Sequence, residues 1–99
     1  MMTVITHITL KQGSEPEWDA AMRERLDSAP EREGWISNQL LIPLEAPHQR
    51  TVVGTWTTRA AWEAWHEDET FRETRERMNG LQEGSNETTW YEVVSEEQS

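Results

Sequence analysis

Cysteine is absent from these 99 residues. The chain therefore has no disulfide framework, no thiolate metal site and no thiol nucleophile. Long hydrophobic runs are missing too: none approaches the ~18 residues of a membrane span, and the first residues lack the charged-then-apolar pattern of an export signal. A cytoplasmic protein without a membrane partner is expected. Positive charge is scarce, nine Lys and Arg against nineteen Asp and Glu, for a formal net charge of −10. That balance argues against nucleic acid, whose phosphates require a basic surface. The carboxylates are spread over expected helix faces and the tail, where they form a solvated surface. Also lacking are a GxSxG elbow, a phosphate-cradling glycine loop and an HExxH pair. His7, His48 and His66 stand far apart in sequence, so no metal site is expected.

What is present reads as one domain over residues 1–99, with the tail fraying from about residue 95. A chain of this length buries roughly 60–65% of its unfolded surface, enough for one core but not for a deep, private active site. Its organising stretch is Val52 to Phe71, which changes period in mid-course. Val52 to Trp56 has the β-branched and aromatic composition of a half-buried strand. From Ala60 the apolar residues recur at helical spacing, Ala61, Ala64 and Trp65, with Trp62 one step round. Thr58 stands at the junction as a helix cap. Three of the six tryptophans fall in this stretch; they can close a small core or line a flat pocket.

Around it the elements follow in order. Thr3 to Leu10 alternates, with Val4, Thr6, Ile8 and Leu10 on one face and Ile5, His7 and Thr9 on the other. After a turn, Ser14-Glu15-Pro16-Glu17 reads as a capping box. The helix that follows carries Trp18, Met22 and Leu26 on its apolar stripe. Strands are expected over 35–42 and 50–57. A second helical region runs from Thr58 to about Asn79, where Asp68 or Thr70 could cap a fresh turn. A last strand covers 87–95. The order β-α-β-β-α-β is the split βαβ plan, an α+β ferredoxin-like fold with two helices on one face of a four-stranded antiparallel sheet. The opposite face, with Ile5 and alternate residues of 36–42 and 90–94, is expected to be apolar and to form a homodimer.

The run Trp56, two hydroxyl residues, a charged residue, two alanines, Trp62, Trp65 and Phe71 resembles the antibiotic biosynthesis monooxygenase domains. These are small ferredoxin-like proteins of the dimeric α/β-barrel group, and the likeness covers nearly the whole chain in element order. It implies a homodimer through the open sheet face and a monooxygenase-type oxidoreductase. The family's haem-degrading branch uses a first-strand asparagine, a helix tryptophan and an iron-ligating histidine. Those positions fall on Thr6, Trp65 and Arg75, so the iron ligand is missing and haem is disfavoured. The quinone-forming branch oxidises phenolic polycycles without metal or flavin. Its strand tryptophan matches Trp56, Trp62 stands for its helix tyrosine, and its asparagine falls on Val52.

The candidate catalytic residues are His66, whose ordinary pKa of ~6.5 suits a base, and Arg75, a cation for a phenolate. His66 could equally be a surface residue, and Arg75 could pair with Asp68 along a helix. Thr6, Trp56, Trp62, Trp65 and Phe71 are the candidate substrate-binding residues; the tryptophans could equally be core. The leading expectation is a cofactor-independent monooxygenase using molecular oxygen on a small aromatic, phenolic (quinol or polyketide-like) molecule. The alternatives are a haem or small-aromatic binding protein without catalysis, and a dimeric module without ligand.

Overall fold

Strand β1, Met2–Thr9, alternates in burial along most of its length and is one of the two inner strands of the sheet. The computed structural model describes residues 1–97. After β1 come α1 (Glu15–Asp27), β2 (Trp35–Leu41), β3 (Gln49–Trp56), α2 (Arg59–Trp65), α3 (Glu69–Met78) and β4 (Glu87–Glu92). The sheet order is β2-β3-β1-β4 and every pairing is antiparallel. This is the ferredoxin-like arrangement expected, with three helices in place of two.

The additional helix comes from a break where the sequence allowed one. Asp68 adopts an extended backbone (φ −63°, ψ 140°), and its carboxylate accepts from the amides of Thr70 (2.9 Å) and Phe71 (3.4 Å). Those bonds satisfy orphan donors of a new first turn, so the chain restarts as α3. Thr58 caps α2 in the same manner, its hydroxyl accepting from Ala61 N–H at 3.1 Å. At α1 the expected capping box does not form: Ser14 has a near-helical backbone (φ −90°, ψ −7°) and no side-chain cap bond. Pro16 removes one amide that the hydroxyl could have served, and the turn closed by Ser14 N–H on the Lys11 carbonyl leads into the helix instead.

The core lies between sheet and helices. Met2, Val4, Ile8 and Trp56 from the sheet meet Trp18, Met22 and Leu26 of α1, Trp65 of α2, and Phe71 and Met78 of α3. Leu10, expected at the end of β1, is fully buried just beyond it in an isolated bridge to Gln82. On α2 the inward residues are Trp65, Trp62 and Ala61; Ala60 is exposed, and so is Ala64, which was expected on the apolar face. Gly34 does the tight work at the entry to β2. With φ +87°, a Cβ there would stand 2.6 Å from Ala61 Cβ and 2.7 Å from Thr57 Oγ1.

A buried ion pair ties α1 to β3. Arg50 is only 4% exposed. Its Nε and Nη2 donate to the two Asp19 carboxylate oxygens (2.8 and 3.0 Å), and its Nη1 donates to the carbonyls of Pro47 and Gln49 (each 2.8 Å). Such a fork-to-fork pair keeps its charge answered away from water.

The face without helices departs from expectation in two ways. It is mixed, because Ile5 and Val53 lie beside Gln39 and Thr89, and Tyr91 beside Thr3, Thr55 and Ser37. Trp90 does not belong to it: β4 turns that indole to the helix side, where it meets Trp62 at 5.6 Å. Ile36, Leu41 and Tyr91 are exposed. His7 lies on this open face, exposed in the single chain, with Nδ1 3.1 Å from Thr51 Oγ1. The last strand stops at Glu92, short of Ser95, and residues 93–97 carry no regular structure. The remainder of the expected frayed tail lies outside the described residues. No helix is long and apolar enough to cross a membrane among those described.

Candidate active site

Between helices and sheet lies a cavity of about 280 Å³, at the small end of the ~300–1,000 Å³ typical of small-molecule sites. All seven residues singled out in the sequence line it: Thr6, Trp56, Trp62, Trp65, His66, Phe71 and Arg75. Strand alternation brings Thr6 in beside Val4 and Ile8, and turns Trp56 to the same side. Phe71, Arg75 and Met78 follow one another at helical spacing along α3. Thr6 is held by Thr88, the two hydroxyls 3.2 Å apart.

One wall is aromatic. Trp65 leans on Trp56 (centroids 5.4 Å, planes at 34°) and meets Phe71 edge-on at 4.8 Å. Its indole N–H donates to Ser28 Oγ at 3.1 Å, and that hydroxyl donates to the Arg25 carbonyl at 2.6 Å. Trp65 is thus a core residue with one flank on the cavity. Trp62 is half-buried, edge-on to His66 at 4.2 Å.

His66 closes the end of α2. Its Nδ1 lies 2.9 Å from the Trp62 carbonyl. A carbonyl oxygen can only accept, so Nδ1 carries the hydrogen and the neutral ring leaves Nε2 as its basic nitrogen. Burial lowers the His66 pKa below the ordinary value; the Trp62 carbonyl opposes this, while Arg75 and Arg25 add to it. The ring therefore stays neutral at pH 7 and can take a proton.

The cations are arranged differently from the expectation. Asp68 does not pair with Arg75; its carboxylate caps α3 and reaches Arg32 at 3.8 Å. Arg75 has its guanidinium carbon 5.2 Å from the Phe71 centroid, and Arg25 stands over the same ring at 3.9 Å. Arg25 was not anticipated. Its position three residues after Met22 and seven after Trp18, inside an apolar stripe, is the signal that could have found it. Its Nε donates to Thr74 Oγ1 at 2.9 Å and Nη2 more weakly to the Phe71 carbonyl at 3.5 Å. Burial, and then the neighbouring Arg75, lower its pKa to about 10. Trp18 also lines the cavity, and its buried indole N–H has no partner among the described residues.

A haem-degrading arrangement does not fit these residues. The guanidinium of Arg75 has no lone pair to offer iron, and a cavity of about 280 Å³ is small for a porphyrin.

The family model for antibiotic biosynthesis monooxygenases matches residues 1–77. No curated protein matches the chain in sequence. Among solved structures, a protein of the antibiotic biosynthesis monooxygenase kind from Nitrosomonas europaea is 15% identical with a TM-score of 0.90, over 96% of this chain and 100% of that one. SnoaB, a cofactor-independent oxygenase from Streptomyces nogalater, is 14% identical with a TM-score of 0.82, over 96% of this chain and 94% of its own. A conserved protein from Methanosarcina mazei is 17% identical with a TM-score of 0.85, over 91% and 89% respectively. At these identities the likeness is one of fold.

Proposed function

Because the chain belongs to the antibiotic biosynthesis monooxygenase family, we propose that it is a cofactor-independent oxygenase acting on a small phenolic aromatic molecule bound against Trp65 and Phe71. The observation that carries this reading is His66: a neutral histidine of fixed tautomer, on a cavity that is aromatic on one side and cationic on the other. A free phenol has a pKa of ~10. Nε2 of His66 accepts its proton while Arg75 and Arg25 favour the resulting phenolate.

An electron-rich phenolate passes an electron to O2, and the two radicals combine at a ring carbon. The resulting hydroperoxide loses water. One oxygen atom becomes a quinone carbonyl; the other leaves as water with the phenol hydrogen and the displaced ring hydrogen. The protein's share is to bind, exclude bulk water, hold the anion and move the proton.

The test is incubation of the protein with 1,5-dihydroxynaphthalene in air-saturated buffer containing a chelator. Oxygen uptake and the hydroxynaphthoquinone product should appear in a one-to-one ratio, well above the rate in buffer. His66→Gln should slow turnover on the order of 10²-fold, the lower value usual for a lost general base. A wild-type rate equal to buffer sinks the proposal.

We also propose that the working form is a cytoplasmic homodimer with its two open sheet faces together. Exposed Ile36, Leu41 and Tyr91 around Ile5 and Val53 support it. Sedimentation at micromolar concentration should show twice the 11.6 kDa chain, and Ile5→Glu should abolish that species.

A further inference from the structure

We propose that Arg25 and Arg75 together form a carboxylate subsite, so that the ligand is an aromatic hydroxy acid and not a neutral phenol. The inference rests on the phenol-oxidising reading above and deepens it. Of the eight arginines in the chain, Arg32, Arg50, Arg59, Arg72 and Arg77 each have a carboxylate oxygen within 4 Å. The chain carries nineteen Asp and Glu in all. Arg25 and Arg75, the two that line the cavity, have none among the described residues; the third without one, Arg23, is exposed on α1. They also share one ring: their guanidinium carbons lie 3.9 and 5.2 Å from the Phe71 centroid.

Two like charges gathered on one aromatic ring repel, and burial withdraws Arg25 from the water that would screen them. A single phenolate would answer one of them. A carboxylate, with two oxygens, would answer both and leave the phenol of the same molecule to His66. Arg25 is also oriented for a planar anion. Its Nε–H is taken by Thr74 and one Nη2 hydrogen leans toward the Phe71 carbonyl. The outer Nη1–Nη2 edge keeps the parallel hydrogens that a carboxylate accepts two at a time. His66 packs on Phe71 at 4.2 Å, so the phenol of the same ligand can reach its base.

Isothermal titration at pH 7.5 with 6-hydroxy-2-naphthoate and 2-naphthol, which differ only in the carboxylate, tests the subsite. The acid should bind the wild-type protein at least about tenfold tighter, as a charged hydrogen-bonded contact requires. Arg25→Met, and separately Arg75→Met, should bring the ratio of the two affinities close to one. A wild-type ratio near or below one overturns the inference, and needs no variant to fold. So does a ratio that both variants leave unchanged. If naphthol binds and the acid gains nothing, the phenol reading survives and the carboxylate subsite does not. If neither compound binds, both fall together.

Discussion

Two arginines are drawn out of water around α1, and the chain treats them in opposite ways. Arg50 is 4% exposed and spends its donors on Asp19 and two carbonyls. Arg25 is half-buried and meets a hydroxyl, a distant carbonyl and an aromatic face, but no carboxylate. The first is architecture: its charge is answered wherever the fold exists. The second leaves charge unanswered inside a strongly acidic chain, beside a cavity.

The sharpest way to break that contrast is to take away the carboxylate of Asp19. Asp19→Ala should cost about 3–5 kcal/mol in urea melts, because Arg50 would stay buried and uncompensated. Replacing both partners by apolar groups, Asp19→Leu with Arg50→Met, should recover most of it. A single-variant loss under about 1 kcal/mol would mean that water answers Arg50 after all. A smaller effect is expected at the other arginine. Arg25→Met forfeits a hydrogen bond to Thr74 but also relieves burial and repulsion, so its loss should stay below about 1 kcal/mol. A loss equal to that of Asp19→Ala would make Arg25 structural.

The smallest effect is a pH slope. His66 has a folded pKa below its unfolded ~6.5, so between the two values the unfolded chain binds more protons. The stabilising preference for the neutral ring is intact above pH 6.5 and fades as acid carries the solution below it. Urea melts between pH 5 and 8 should show this decline, and His66→Gln should flatten it. A wild-type profile with no difference from the variant would mean that neither burial nor the two cations lowers the ring's pKa.

Much of the architecture was legible because period and punctuation are local. Val52–Trp56 changes to a helical spacing at Thr58, and Asp68 stands where a helix can restart; each signal lies within a few residues. The aromatic wall was legible for the same reason, since Trp62, Trp65 and Phe71 fall on neighbouring turns. Long-range choices were not. Asp19 and Arg50 are thirty-one positions apart, and nothing nearby marks either as a partner. An isolated alternating strand also does not reveal which of its faces meets the helices. Alternation alone assigns Trp90 to the open side, whereas its packing on Trp62 and under Arg59, 3.7 Å from the ring, turns it inward. Arg25 was hidden by its own type, because a charged residue on a helix reads as wet even when its spacing places it on the stripe.

The Asp68 break has a consequence for how the cavity breathes. It divides the helical wall into segments of seven and ten residues, each shorter than the ~12–15 at which an isolated helix persists in water. Neither segment holds its shape undocked, so opening the wall that bears Trp62, Trp65 and His66 is expected to cost less than global unfolding. Amide hydrogens near the end of α2 should then exchange faster than those of β1. A compound seated against Trp65 should slow that exchange without touching a single amide, because it favours the closed wall over the open one.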